Sequence, residues 1–163
     1  MPIGECPDVS SLQMPSEPSP TAVQRASRIL RRGATRHPTE VKLRLRGGPE
    51  AVSLARHSLN DLQSELGPEL FEDMRLLVSE LVTNSVRHAV AATESTVMLE
   101  LSVRDDLVRC CVSDPGPGFQ PAEREPDDDP GSGWGLFLVE QLSDRWGVDL
   151  NAGTSVWFEI DRI

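Results

Sequence analysis

The sequence predicts an α+β fold: a two-layer α/β sandwich with helices packed on one face of a mainly antiparallel sheet. Three observations lead there. Alternating apolar positions mark five short strands, and two pairs of them are joined by tight polar turns. Apolar residues at helical spacing fill two neighbouring stretches and one shorter one further on. The resulting order, β-α-α-β-β-loop-α-β-β, groups the helices instead of alternating them with single strands, which favours helices layered on an antiparallel sheet.

Residues 1–40 hold six of the thirteen prolines, many serines and little apolar periodicity. They are expected to form a disordered Pro/Ser/Arg-rich N-terminal arm ahead of one domain over 41–163. Within the arm Arg25, Arg28, Arg31, Arg32 and Arg36 have some helical spacing; a solvated tail is the favoured reading and a segment for an acidic partner the alternative. Val41, Leu43 and Leu45 then alternate with Lys42, Arg44 and Arg46, a half-buried strand stopped by Gly47-Gly48. Pro49 suits the first position of a helix that runs to Leu66 and stops at Gly67. Pro68 opens a longer helix to about Ala91, with a stripe of Leu70, Met74, Leu77, Val78, Leu81 and Val82. Strands follow over 95–104 and 107–113, turning at Asp105-Asp106. A Pro/Gly/Asp-rich loop fills 114–134, a helix covers 135–144, and strands at 146–150 and 154–160 turn at Asn151-Ala152-Gly153.

Composition narrows the function classes. No stretch approaches the ~18 apolar residues of a membrane span, and no basic segment followed by an apolar run opens the chain, so a cytoplasmic protein away from membranes is expected. The net charge of −10 is unevenly spread: residues 1–48 carry eight Lys/Arg against four Asp/Glu, and 49–163 carry eight against twenty-two. So acidic a domain would repel nucleic acid, and no direct nucleic-acid binding is expected. Any phosphate must be met locally, by backbone N–H groups and a metal ion. Cys110 and Cys111 are adjacent in one strand, so their side chains face opposite ways and do not converge on an ion.

Three segments carry candidate chemistry. In Ser79–Ala89 (SELVTNSVRHA), Glu80 and Asn84 stand one helical turn apart on one face, with Arg87 and His88 beyond them. Asp114 to Phe119 (DPGPGF) follows an apolar strand; a carboxylate there can accept from an exocyclic amine, and Gly116 and Gly118 let backbone approach a flat ligand. Gly131, Gly133 and Gly135 run a glycine-rich loop straight into a helix whose free N–H groups and dipole suit phosphate. Taken singly each is ordinary: a polar helix face, a strand-exit turn, a capped helix. A dinucleotide-binding loop fails on context, since no strand precedes Gly131, and a Walker A loop lacks its Gly-Lys-Ser/Thr.

Together, in this order and closed by Gly153-Thr154, they resemble the GHKL, or histidine-kinase-like, ATPase superfamily over about 41–163. The stretches SELVTNSVRHA, DPGPGF, GWGLFLVEQLSDRWGV and GTSVWFEI are similar, more narrowly, to the stand-alone anti-sigma-factor serine/threonine kinases of actinobacteria. The resemblance implies a Bergerat-type ATP-binding fold with ATP and Mg²⁺ as cofactors. It makes Asn84 the metal ligand and Glu80 the general base. Asp114 would accept the adenine amino group, with Gly116 and Gly118 allowing close approach to the base. Gly133 and Gly135 would bring backbone to the phosphates, and Thr154 would support adenine. Arg87 and His88 receive no role.

The implied activity is phosphorylation of an anti-anti-sigma-type protein antagonist, with sequestration of a sigma factor or similar regulator, and a homodimer is suggested. The alternative is a nucleotide-responsive protein-binding module with little or no kinase activity. One departure stands out: the lid, about 119–131, is short and carries Asp127-Asp128-Asp129, whose charges oppose a triphosphate unless they point away or help hold metal.

Overall fold

The computed structural model describes residues 38–89, 96–117 and 134–162. The N-terminal arm as far as residue 37, the acidic lid, and Gly118, Gly131 and Gly133 lie outside the described residues. Strand β1, Thr39–Arg46, begins two residues before the expected boundary. Helix α1, Pro49–Leu59, starts on Pro49 as expected. The single helix expected to Leu66 is instead broken: a 3-10 turn, Asn60–Leu62, separates α1 from a short α2, Gln63–Leu66. Helix α3 spans Pro68–Ala89. Strands β2, Thr96–Val103, and β3, Leu107–Asp114, form the first hairpin. Helix α4 covers Trp134–Leu142, and β4, Arg145–Asp149, with β5, Thr154–Asp161, forms the second hairpin.

The five strands lie in the order β1-β2-β3-β5-β4, and each described pairing is antiparallel. Strand β5 inserts between β3 and its own hairpin partner, so it is interior. Alternation in β2 sends Val97, Leu99, Leu101 and Val103 to the helix layer. Val108, Cys110 and Val112 of β3 and Val156, Phe158 and Ile160 of β5 join them. The helices answer with Met74, Leu77, Val78, Leu81 and Val82 of α3, all within 2% exposure. Ala51 and Ala55 of α1 are nearly sealed as well, their small side chains letting α1 lie close on α3. The result is the expected two-layer α+β sandwich, with α3 against β2 and β3.

The helix-free face of the sheet holds its own packing. The Trp157 ring lies flat over Gly147, where an added Cβ would come within 2.8 Å of it. Arg109 caps the same ring, 5.1 Å from its centroid. Glu159, 5% exposed, accepts from Arg109 at 2.8 Å and from Arg145 Nε at 2.8 Å, and Arg145 also reaches Asp161. Hydrogen bonds from Arg145 to Asp161, then to Glu159, push its already high pKa further up, so the Arg145 guanidinium stays ionised. This lattice fixes the register of β3, β5 and β4. Arg162 closes the other end of the sheet: its N–H donates to Asp106 O at 2.8 Å, and its guanidinium reaches the carbonyls of Arg104 and Glu65. No helix among the described residues is long and apolar enough to cross a membrane.

Candidate functional site

Two groups of the sequence-predicted residues form separate clusters. The first lies where α4 meets α3. Glu80 and Asn84 are half-buried on α3, and neither side chain makes a hydrogen bond among the described residues. The turn carrying them is fixed from behind. Ser79 Oγ accepts from Arg56 Nε of α1 at 2.6 Å and donates to Arg75 O at 2.5 Å, while Thr83 Oγ1 donates to Ser79 O at 2.7 Å. Gly135, in the first turn of α4, is buried directly on Asn84. A Cβ at 135 would collide with Asn84 Nδ2 and would lie 3.5 Å from Glu80 Cβ. Only glycine lets the helix start come this close, and the Asn84 carboxamide that meets it with Nδ2 keeps its one oxygen, Oδ1, on the other side.

The second cluster lies at the end of β3. Asp114 is 2% exposed and projects to the helix-bearing face, in step with Cys110 and Val112. Its Oδ1 accepts the Gly116 N–H at 2.8 Å, a local turn that Asp favours after a strand. Thr154 sits directly across the sheet from Asp114 and is 4% exposed; its Oγ1 donates to Gly116 O at 3.4 Å. On the opposite face the next rung is tied by Ser113 Oγ and Ser155 Oγ, 2.8 Å apart. One feature here was not singled out from sequence: that serine pair, invisible without the strand pairing. Gly153, which the sequence marked in the closing Gly-Thr, has φ 104° and packs on the Asp114–Pro115 backbone.

Glu80, Asn84 and Gly135 are therefore brought together, and so are Asp114, Gly116 and Thr154. Gly118 and Gly133 fall outside the described residues. Arg87 is exposed on α3, and the His88 side chain also falls outside. Among the described residues no three His, Cys, Asp or Glu side chains converge as a metal site. A hard cation at the first cluster would thus find few side-chain oxygens, those of Asn84 and Glu80, and would lean on ligand phosphates to complete its shell.

A family model described as the histidine kinase-like ATPase domain matches residues 45–160. The serine-protein kinase RsbW of Listeria innocua is 35% identical over 137 residues, 76% of this chain and 87% of that protein. The RsbW of Bacillus licheniformis is 31% identical, over 66% of this chain and 76% of its own length. That of Staphylococcus epidermidis is 31% identical, over 71% and 82%. Among solved structures, the histidine kinase domain of the Erythrobacter litoralis EL346 blue-light activated histidine kinase gives a TM-score of 0.46 at 23% identity. That likeness covers 68% of this chain and 58% of that one. By the extent of the family match and of its relatives, the chain belongs to the histidine kinase-like ATPase family, on the branch that includes the RsbW serine-protein kinases.

Proposed function

We propose that this domain is an ATP-dependent serine-protein kinase of the cytoplasm that regulates transcription, phosphorylating an anti-anti-sigma-type antagonist and sequestering a sigma factor or similar partner. The observation that carries this reading is the seating of Gly135 on Asn84 and Glu80. It joins a helix start suited to phosphate, an amide oxygen suited to magnesium and a carboxylate suited to proton transfer. Mg·ATP, when bound, supplies the transferable phosphoryl group. Asn84 would hold the cation through Oδ1. The backbone of Gly135 and Gly133 would face the phosphates without the Cβ that would hold them off. Asp114, whose carboxylate offers acceptors and no donor, would take the adenine amino group on its second carboxylate oxygen, with Gly116, Gly118 and Thr154 lining the base. Glu80 would accept the proton of the substrate serine hydroxyl, raising the nucleophilicity of its oxygen.

The kinase names of the relatives support this assignment, and the acidity of the domain agrees with a protein rather than a nucleic-acid partner. The test is a pulldown from native cell extract with and without Mg·ATP, followed by phosphosite mapping of what binds. ATP-dependent serine phosphorylation of a small captured protein is the expected result. Capture that responds to ATP without any phosphate transfer would replace the kinase with a nucleotide-responsive binding module.

A further inference from the structure

We propose that Cys6, in the N-terminal arm, and Cys111, on β3, form a disulfide that fastens the arm over the helix-free face of the sheet, so that the arm's hold responds to oxidants. The inference is independent of the nucleotide reading above: it uses none of the residues proposed to meet ATP.

Neighbouring residues of a strand face opposite ways. Cys110 belongs to the core beneath the helices and is a free thiol. Cys111 belongs to the other face, and it is disulfide-bonded. The sequence holds three cysteines, so Cys6, outside the described residues, is the partner left to it within the chain. Burial agrees with a bonded partner. Cys111 stands mid-sheet on the helix-free face, in a row with Lys42, Glu100, Trp157 and Gly147, one residue from each strand. It is nevertheless only 2% exposed, and Ser113 Oγ, 3.7 Å from its sulfur, comes from the same strand.

The arm has the reach. It leads into β1, the outer strand of the sheet, and Cys111 lies two strands in, opposite Glu100, which is itself opposite Lys42. Two strand spacings come to about 10 Å, and the 32 residues between Cys6 and Thr39 can span several times that. Ile3, Pro7 and Val9, close to Cys6 in sequence, give the arm apolar side chains to set against Trp157.

Disulfides seldom persist in a reducing cytoplasm, and those that form there are mostly transient or redox-sensing. In the compartment proposed above, the bond is therefore made on oxidation, and a peroxide is the oxidant assigned to it. The Cys6 thiolate attacks one peroxide oxygen, breaking the O–O bond and leaving a sulfenic acid at Cys6 with one water released. The Cys111 thiolate then attacks that sulfur, forming the S–S bond and expelling the oxygen as a second water. The two thiols lose two electrons to the peroxide, and their two protons leave on the two oxygens.

The test uses the full chain, reduced or treated with hydrogen peroxide, with remaining thiols blocked before trypsin digestion without reductant. Mass spectrometry should find peptide 1–25 joined to peptide 110–124 after peroxide, and the two apart after dithiothreitol. The link should vanish in Cys6→Ser and Cys111→Ser and persist in Cys110→Ala, which assigns the sulfur. In native Cys6→Ser, iodoacetamide should modify Cys111 roughly tenfold or more faster than Cys110, because the cover is no longer fastened. Cys6→Ser lies outside the packed domain, so this arm of the test stands even if Cys111→Ser does not fold. No link after peroxide, a link to Cys110, or disulfides only between separate chains on a non-reducing gel would each overturn the proposal. So would a Cys111 in Cys6→Ser that reacts no faster than Cys110, since the sheet's own side chains would then be its cover.

Discussion

Replacing Gly135 by alanine should separate stability from ligand binding. Position 135 lies in the first turn of α4, where Ala in place of Gly gains up to ~1 kcal/mol of helix propensity. Against this, the new Cβ collides with Asn84 Nδ2. The colliding atom is the tip of a side chain, and the next nearest atoms, Asn84 Cγ and Glu80 Cβ, stand at an ordinary 3.5 Å. Asn84 can therefore turn, and an off-rotamer χ costs ~0.5–1.5 kcal/mol. The two effects nearly cancel, so unliganded stability should change by no more than about 1 kcal/mol, a shift of about 4 °C in Tm. Mg·ATP affinity, by contrast, should fall about 10- to 100-fold, because the carboxamide proposed to hold the cation is displaced. Thermal unfolding without ligand and titration calorimetry with Mg·ATP read the two quantities separately. A double-mutant cycle sharpens the test: in an Asn84→Ala background the collision is gone, and Gly135→Ala should be neutral or stabilising. Wild-type affinity in the single variant, or equal destabilisation in both backgrounds, would refute the reasoning.

Three further outcomes are expected. Asn84→Ala should lose Mg·ATP binding and phosphotransfer together, whereas Glu80→Ala should still bind nucleotide while transfer falls ~10²–10⁴-fold; labelled ATP with the captured antagonist separates the two, and equal loss of binding in both would remove Glu80 from the role of base. Glu159→Gln leaves two arginines without their shared carboxylate. Because the Arg109 and Arg145 side chains are 20% and 37% exposed, the cost should be about 1–3 kcal/mol, below that of a fully buried pair; a denaturant midpoint unchanged from wild type would show the network to be idle. Burial pushes the Cys110 thiol well above its ordinary pKa, with Arg109 only partly opposing. Peptide mapping after iodoacetamide treatment should find Cys110 unmodified in the native protein and modified after unfolding, and prompt native modification would contradict a closed core.

The strands and helices were legible because each has a core-facing period of its own. Val97, Leu99, Leu101 and Val103 announce β2 without help from elsewhere. The break after Leu59 was not legible: Leu59, Leu62 and Leu66 are all buried, and their spacing continues a helical stripe whether or not the backbone tightens between them. The helix-free face was also opaque. Cys111, Trp157 and Glu159 alternate with core residues and would be expected to meet solvent, yet all are buried. Trp157 and Glu159 are covered by contacts with Gly147, Arg109 and Arg145, residues distant in sequence or on a neighbouring strand. At the candidate site, residue types and order pointed to Glu80, Asn84, Asp114, Gly116, Gly135 and Thr154, and spacing alone paired Glu80 with Asn84. That Gly135 touches Asn84, or Gly153 the Asp114 backbone, depends on how α4 and the second hairpin return to the first half of the chain, which local periodicity does not encode.

The interior position of β5 bears on biosynthesis. Strands β1, β2 and β3 can zip as a meander as they emerge, and the exposed Lys42, Arg44 and Arg46 of β1 discourage pairing at that outer edge. The other edge, β3, must wait for the last described strand. At ribosomal speeds that delay is on the order of seconds, during which the β3 backbone, with its apolar Val108, Cys110 and Val112, stays open to the wrong neighbour. Translation that stalls before residue 154, or a nonsense codon there, would leave β3 without β5 and Asp114 without Thr154 opposite it, so the nascent chain would be at once ligand-incompetent and prone to edge-to-edge aggregation.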